Sequence, residues 1–391
     1  MRIAFDVSQT GPRKAGCGYF AEGLIRHLAL IDRENEFLLL PAVGDHFWDP
    51  AGPRQTCSIR QSNFRRLSTG RTFEEAQQLW RLPADILEAR LGHPDIIHFN
   101  NFFCPYQLRS ARCVFTLHDL AFLSHPEWTT EENRVSCFAG VFRAAGSADL
   151  IVAVSHYSRE QFLQTFPHYP PERVEVVYPG SRFLDISGDG IRPHESLRPA
   201  NYWLSVGTLE PRKNHRRLLA AYRRLRSIEP GMPLVIAGAE GWLLEELGDL
   251  RPDRDLMLLG YVRDEELLWL YDNCYAFLYP SLFEGFGMPV AEAMSRGAAI
   301  LTSSTSSLPE VAGDAALLVD PFDEEAIFAG MHRLLSEPSL RDRLRGAAMS
   351  RARQFSWTSS AARMFDLYSK VARLPRFADS LATCGDVPPQ R

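Results

Sequence analysis

Two carboxylates flank a glycine-rich turn in residues 281–297, SLFEGFGMPVAEAMSRG, and their surroundings decide what they can do. Glu284 falls in a loop after an apolar run, and Glu292 in the first turn of a helix that starts near Pro289, a residue suited to a helix opening. Gly285 and Gly287 expose backbone amides while the carboxylates accept from hydroxyls. A ligand offering hydroxyls and phosphates together is a nucleotide sugar. An acidic residue stabilising the helix dipole explains Glu292 but leaves Glu284 idle. A second constellation, VGTLEPRKNH, sets Arg212 and Lys213 where a helix begins, so that guanidinium, ammonium and helix amides can converge on one pyrophosphate. Such a pair is also commonly a solvated face, although cations there oppose the dipole. In a third, LHDL, His118 and Asp119 close the apolar run at 114–117. A histidine there can donate to a sugar hydroxyl or phosphate or shuttle a proton, or it can be satisfied by neighbouring backbone. The fourth is SQTGPRKAGCGYF, where Gly11, Gly16 and Gly18 precede a helix and either admit an anion or form an ordinary turn. It lacks a third matched glycine, and no acidic residue ends a second strand about 20 residues later, which argues against a dinucleotide fingerprint.

These loops need strands to present them. RIAFDV, EFLLLP, DIIHF, VFTLHDL, ADLIVAVS and VEVVYPG alternate with helical patterns, including residues 18–30 and 157–166, as in a parallel sheet flanked by helices. Residues 180–200, GSRFLDISGDGIRPHESLRPA, show little periodicity and read as a linker. YWLSVGTL, PLVIAG, LMLLGYV, YAFLYP, AAIL and AALLVD then rebuild the alternation, with helices at 218–225 and 289–296, and helices at 324–336, 339–353 and 357–372 close the chain. The expected fold is α/β, with two Rossmann-like doubly wound domains facing a cleft: an N-terminal acceptor-binding domain at 1–185, a linker at 186–200, a nucleotide-sugar-binding domain at 201–372 and a tail at 373–391. Open parallel sheets bind ligands beyond the carboxyl ends of their strands, where all four constellations lie.

Composition narrows the classes. A chain of 391 residues exceeds one comfortable core, and its hydrophobic content of 45% supplies two. With 23% charged residues and a net charge of -5 there is no global basic field, so nucleic acid is not an expected partner. Seven cysteines, odd in number and without a CxxC pair, suggest reduced thiols in a cytoplasmic protein and no zinc site. The N-terminus enters a strand pattern without the apolar core of a signal peptide, and no run approaches the roughly 18 apolar residues of a membrane span. The expected location is cytoplasmic, free or peripheral at the inner face of the cell membrane. IRQSNFRRLSTGRTF, with Arg60, Arg65, Arg66, Arg71, Phe64 and Phe73, would suit an anionic lipid or lipid-diphosphate acceptor, and equally reads as a solvated loop.

The Glu-x7-Glu spacing of EGFGMPVAE, the preceding YPSLF, the EPRKN loop, the HDL strand end and SSLPEVAGDAALLVDPFD together resemble the retaining glycosyltransferases of family four, with the GT-B fold. The resemblance covers residues 1–372, and HDLAFLSHPEW and VAVSHYSRE look most like bacterial mannosyltransferases of polysaccharide assembly. It implies that Glu292 binds the nucleotide ribose and that Arg212 and Lys213 hold the diphosphate. It implies also that Glu284, with the amides of Gly285, Phe286 and Gly287, binds donor-sugar hydroxyls, that Gly16 and Gly18 line the phosphate cleft, and that His118 sits beside the sugar. His118, Glu284, Arg212 and Lys213 would then carry catalysis. Relatives often place Arg after the second glycine, where this chain has Tyr19, so that phosphate or acceptor contact is not carried over. The implied reaction is retaining hexosyl transfer without a metal, since no Asp-x-Asp element stands at a strand end and the two cations can neutralise the leaving diphosphate. No cofactor is expected; a nucleotide diphosphate sugar is the co-substrate, GDP-mannose by resemblance or else a UDP-sugar. The expected acceptor is a saccharide or lipid-linked saccharide. A nucleotide-sugar 2-epimerase or a non-catalytic nucleotide-sugar binder would use the same residues.

Overall fold

The computed structural model describes residues 1–12, 14–44, 55–69, 72–105, 108–229, 231–244 and 251–377. Arg71, the side chain of Phe73, Cys384 and most of the expected tail lie outside the described residues. The chain divides into two units. The first comprises Met1–Leu123, Glu131–Pro179 and the chain from Trp357 onward, and the second comprises Ser124–Thr130 and Gly180–Ser356.

The first unit holds a parallel sheet of β1 (Arg2–Asp6), β2 (Glu36–Leu40), β3 (Phe64–Arg66), β4 (Ile96–Phe99), β5 (Arg112–Leu117), β6 (Leu150–Ala153) and β7 (Val174–Val176). Its strand order is β3-β2-β1-β4-β5-β6-β7. Helices α1 (Gly16–Ile31), α2 (Phe73–Trp80), α3 (Ala84–Arg90), α4 (Ala121–Ser124), α5 (Glu131–Ser147) and α6 (His156–Thr165) belong to this stretch of chain. The strands β2, β5 and β6 are mostly apolar and buried because both faces of a parallel sheet are covered. In α1, Phe20, Ala21, Leu24, Ile25 and Leu28 are buried at helical spacing, which turns one face onto the sheet.

The second sheet contains β8 (Trp203–Val206), β9 (Leu234–Ala237), β10 (Leu256–Gly260), β11 (Ala276–Tyr279), β12 (Ile300–Ser303) and β13 (Leu317–Val319). It too is parallel, in the order β10-β9-β8-β11-β12-β13. Its helices are α7 (His215–Ile228), α8 (Asp264–Asn273), α9 (Met288–Ser295), α10 (Leu308–Ala312), α11 (Glu324–Ser336) and α12 (Pro338–Ala352). Each sheet reverses its strand order once, between β1 and β4 and between β8 and β11. At such a reversal the loops beyond the two strands part in opposite directions and leave a crevice.

Three expectations are corrected. The last helix, α13 (Trp357–Arg373), belongs to the first unit and not to a domain ending at 372. Trp357 packs so closely on Gly23 of α1 that any side chain there would strike the indole. Ser360 Oγ donates to the Tyr178 carbonyl at 2.6 Å, and the Tyr368 hydroxyl meets His98 Nδ1 at 2.7 Å. Residues 180–200 are not a free linker: Ile191 N donates to the Glu265 carbonyl at 2.9 Å and Ala200 N to the Asn273 carbonyl at 2.8 Å. Within the arginine-rich stretch, β3 is a sheet strand. Phe64 is buried and stacks on Phe37 with centroids 4.6 Å apart, while Arg60, Arg65 and Arg66 are exposed, Arg65 reaching Glu36 at 3.2 Å.

Buried histidines make stability depend on pH. His98 is enclosed, and burial, aided by nearby His118, pulls its pKa down to about 3. His215 is pulled to about 4 by burial and by Lys213. The unfolded chain therefore binds more protons than the folded one as pH falls below the ordinary histidine value, and stability present above that value is lost on acidification. Asp6 acts oppositely, because burial raises it to about 6 against weaker hydrogen bonds from Ser8 and Asn100. Two histidines outweigh one aspartate. Going from pH 7 to pH 5 is expected to cost about 2 kcal/mol, read as a lower urea midpoint. An equal or higher midpoint at pH 5 would contradict these protonation states.

Candidate active site

The crevice at the reversal between β8 and β11 is built by two loops that hold each other. Beyond β8 the chain makes a 3-10 turn at Pro211–Lys213 and passes through Asn214, whose φ of 61° is left-handed, before α7 begins. Asparagine tolerates that conformation better than most side chains. Its Nδ2 also donates to the Pro280 carbonyl at 2.9 Å and the Pro321 carbonyl at 2.7 Å, pinning the start of α7 to the exits of β11 and β13. The Arg212 carbonyl accepts from Leu282 N at 2.8 Å. The positions of Arg212 and Lys213 are thereby set by the segment that carries Glu284.

Those three side chains form one cluster. Arg212 donates through Nη1 to Glu284 Oε2 at 2.7 Å and through Nη2 to Glu210 Oε1 at 2.6 Å. Lys213 Nζ donates to Glu284 Oε1 at 2.6 Å and to the Tyr279 hydroxyl at 2.8 Å. Tyr279 and Ser281 donate to the same oxygen at 2.8 and 2.7 Å. The Arg212 and Lys213 side chains are only 19% and 11% exposed, which rules out a solvated charged face. Burial alone would raise the pKa of Glu284, but Arg212, Lys213 and the donated hydrogen bonds prevail and hold it at about 2. Tyr279 is pushed well above the ordinary phenol range by burial and by the Glu284 charge, so it remains a proton donor. The turn is clamped from behind, with Glu284 N donating to Ser306 Oγ at 3.0 Å and Ser307 Oγ donating to the Glu284 carbonyl at 2.9 Å. Ser306 has a φ of 57°, backbone strain of the kind that persists where surrounding bonds over-determine it.

Gly285, Phe286 and Gly287 complete the buried turn. The Phe286 ring lies edge-on to Phe355, with centroids 5.3 Å apart. Gly287 has a φ of 91°, and a Cβ there would come within 2.6 Å of Leu308 Cδ2, so glycine is required. Glu292 lies in the second turn of α9, not the first, which removes the helix-dipole explanation. It is 1% exposed. Arg182 Nε and Nη2 donate to its two oxygens at 2.6 and 3.0 Å, and the Tyr271 hydroxyl donates at 3.1 Å.

In the first unit, Gly16 and Gly18 open α1 beyond β1, and His118 follows β5. The two glycines differ in role. Any side chain at Gly18 would collide with the Gln9 carbonyl, a packing requirement, whereas a Cβ at Gly16 meets nothing within 4 Å. Tyr19, where relatives often carry Arg, has Lys14 Nζ 5.1 Å from its ring centroid. His118 Nε2 lies 2.8 Å from the Asn100 carbonyl, and since a carbonyl only accepts, that nitrogen carries the proton and Nδ1 is the acceptor of the neutral ring. Burial lowers the His118 pKa, against the opposing effects of the Asn100 carbonyl and Asp119.

Residues 191–351 match the family model Glycosyl transferases group 1, and residues 42–181 match Glycosyltransferase Family 4. The chain is 37% identical to the O-antigen chain mannosyltransferase B of Escherichia coli over 94% of this chain and 99% of that protein. The chain belongs to glycosyltransferase family four. It is also 28% identical to the serotype-specific mannosyltransferase WbdA of Escherichia coli, over 77% of this chain and 40% of that protein. Sucrose-phosphate synthase from Thermosynechococcus elongatus superimposes with a TM-score of 0.71 at 20% identity, covering 95% of this chain and 99% of that one, which shows the GT-B fold.

For a family-four glycosyltransferase, the cluster adds residues that sequence reading passed over. Glu210 stands inside EPRKN, and Tyr279 and Ser281 lie just before Glu284, so polar groups at the end of a buried strand were a usable signal. The single Asp-x-Asp sequence, Asp253-Arg254-Asp255, precedes β10 instead of following a strand. Asp253 Oδ1 accepts from Asp255 N at 2.7 Å and Leu256 N at 2.8 Å, and Arg226 donates to Asp255 at 2.5 Å.

Proposed function

We propose that this enzyme is a retaining, metal-independent hexosyltransferase that moves mannose from GDP-mannose to a saccharide or lipid-linked saccharide in cell-surface polysaccharide synthesis. The observation that carries the reading is the convergence of Arg212, Lys213 and Glu284 beyond the strand ends at a topological switch point. The mannosyltransferase relatives support the choice of sugar. In the proposed reaction the bond between the sugar C1 and the diphosphate oxygen breaks while the acceptor oxygen bonds C1 on the same face, and the departing phosphate takes the acceptor proton. Arg212 and Lys213 meet the growing charge on the diphosphate, and their cost of organisation is already met by the folded cluster. Glu284 accepts from sugar hydroxyls, Gly285, Phe286 and Gly287 present backbone around it, and Glu292 accepts from the ribose. Within the first unit, Gly16 leaves open space beside its backbone and His118 offers an acceptor Nδ1. The enzyme would work in the cytoplasm; among the described residues no helix is long and apolar enough to cross a membrane.

A panel of GDP- and UDP-sugars tests the donor. GDP-mannose is expected to raise the melting temperature most, since a ligand bound only by the folded state stabilises it. A larger shift with a UDP-sugar would reassign the base. Turnover is expected to persist in excess EDTA, and loss that magnesium or manganese restores would overturn metal independence. Incubation of donor without acceptor should yield no epimerised nucleotide sugar.

A further inference from the structure

We propose that Arg182 is a positioning residue for the nucleoside end of the donor, fixing the Glu292 carboxylate and joining it to the loop beyond β10. The proposal rests on the reading of Glu292 as the ribose acceptor. All three guanidinium nitrogens are committed to carboxylates: Nε and Nη2 to Glu292, and Nη1 to Asp264 Oδ1 at 2.7 Å. Asp264 opens α8, directly after Gly260 ends β10.

Arg182 is held in turn. Ser181 Oγ lies 2.7 Å from Ser295 Oγ and accepts from Phe183 N at 3.1 Å. Arg296 Nη1 donates to the Ile186 carbonyl at 2.9 Å, and the Phe183 ring lies 5.0 Å from the Arg182 guanidinium carbon. The stretch expected to be a linker is therefore a strap along α8 and α9. Its residues 182–190 fall between the two spans that match the family models.

The arrangement also limits what Glu292 can accept. A carboxylate offers about four lone-pair sites. Arg182 Nε occupies one on Oε1, while Arg182 Nη2 and the Tyr271 hydroxyl occupy those on Oε2. Oε1, with one donor where Oε2 has two, is the more open oxygen, and the proposal places a single ribose hydroxyl there.

Calorimetric titration with GDP, 2′-deoxy-GDP and 3′-deoxy-GDP tests this on the full chain. The unaltered protein should bind one deoxy analogue less tightly than GDP and the other nearly as well. Arg182→Met should bind GDP roughly tenfold or more weakly and lose the distinction between the analogues, while Arg182→Lys should recover part of both. A structural role alone would lower the number of binding-competent molecules and leave the distinction intact. That result, or GDP affinity within about twofold of the unaltered protein, would overturn the proposal. Should Arg182→Met not fold, Asp264→Asn decides, since it loosens Arg182 from a half-exposed carboxylate and should give a smaller loss of the same pattern. Failure of the unaltered protein to bind either GDP or UDP would sink the donor reading itself.

Discussion

Lys213→Ala is expected to lower turnover about a hundredfold or more at saturating donor while the protein stays folded, because it removes a preorganised positive charge from the leaving diphosphate. Arg212 remains on both Glu210 and Glu284 in that variant, so neither buried carboxylate loses its last cation. Arg212→Ala should lose as much activity and more stability. It leaves two carboxylates facing Lys213 alone, and breaking a buried ion pair from one side costs about 3–5 kcal/mol. Near-normal turnover in either variant, measured per folded molecule, would remove the clamp from the mechanism.

The two glutamates should separate. Glu284→Gln removes the carboxylate whose pKa is held at about 2, and the matching stability, about 3 kcal/mol, is present above the ordinary glutamate value and lost as pH falls toward 2. The variant should thus be less stable at pH 7, with the deficit shrinking in acid. Its turnover should fall steeply, yet free GDP should bind as well as before or better, because Glu284 no longer competes with the diphosphate for Arg212 and Lys213. Glu292→Gln should instead weaken free GDP by roughly 1–2 kcal/mol, the loss of a charge-assisted hydrogen bond. Titration of both variants beside their rates would show this crossing. Equal weakening of GDP by the two substitutions would end the division between sugar and ribose.

The parts of this architecture that repeat along the chain were legible in its residues. Apolar strand runs, helical spacing and glycine or proline punctuation marked most of both sheets and placed Arg212, Lys213, His118 and Glu284 after strands, where the structure has them. What was hidden depends on distant partners. The apolar face of α13 is evident in Trp357, Met364, Leu367, Tyr368 and Val371, but an amphipathic pattern does not say which sheet it covers. The strand β3 has one inward residue, Phe64, too few to set a period of two. Arg182 sits in a stretch without periodicity and meets Glu292 across 110 residues of chain, so neither its role nor the docking of residues 180–200 leaves a local signature. Glu210 was visible but unassigned, since only the fold shows that Arg212 bridges it to Glu284.

The central claim, retaining transfer from a nucleotide sugar, is tested most directly by the anomeric configuration of the product. With GDP-mannose and a saccharide acceptor in excess EDTA, nuclear magnetic resonance of the purified product should show an α-linked mannose, the configuration of the donor. A β-linked product, or release of an epimerised nucleotide sugar with no transfer, would contradict the account.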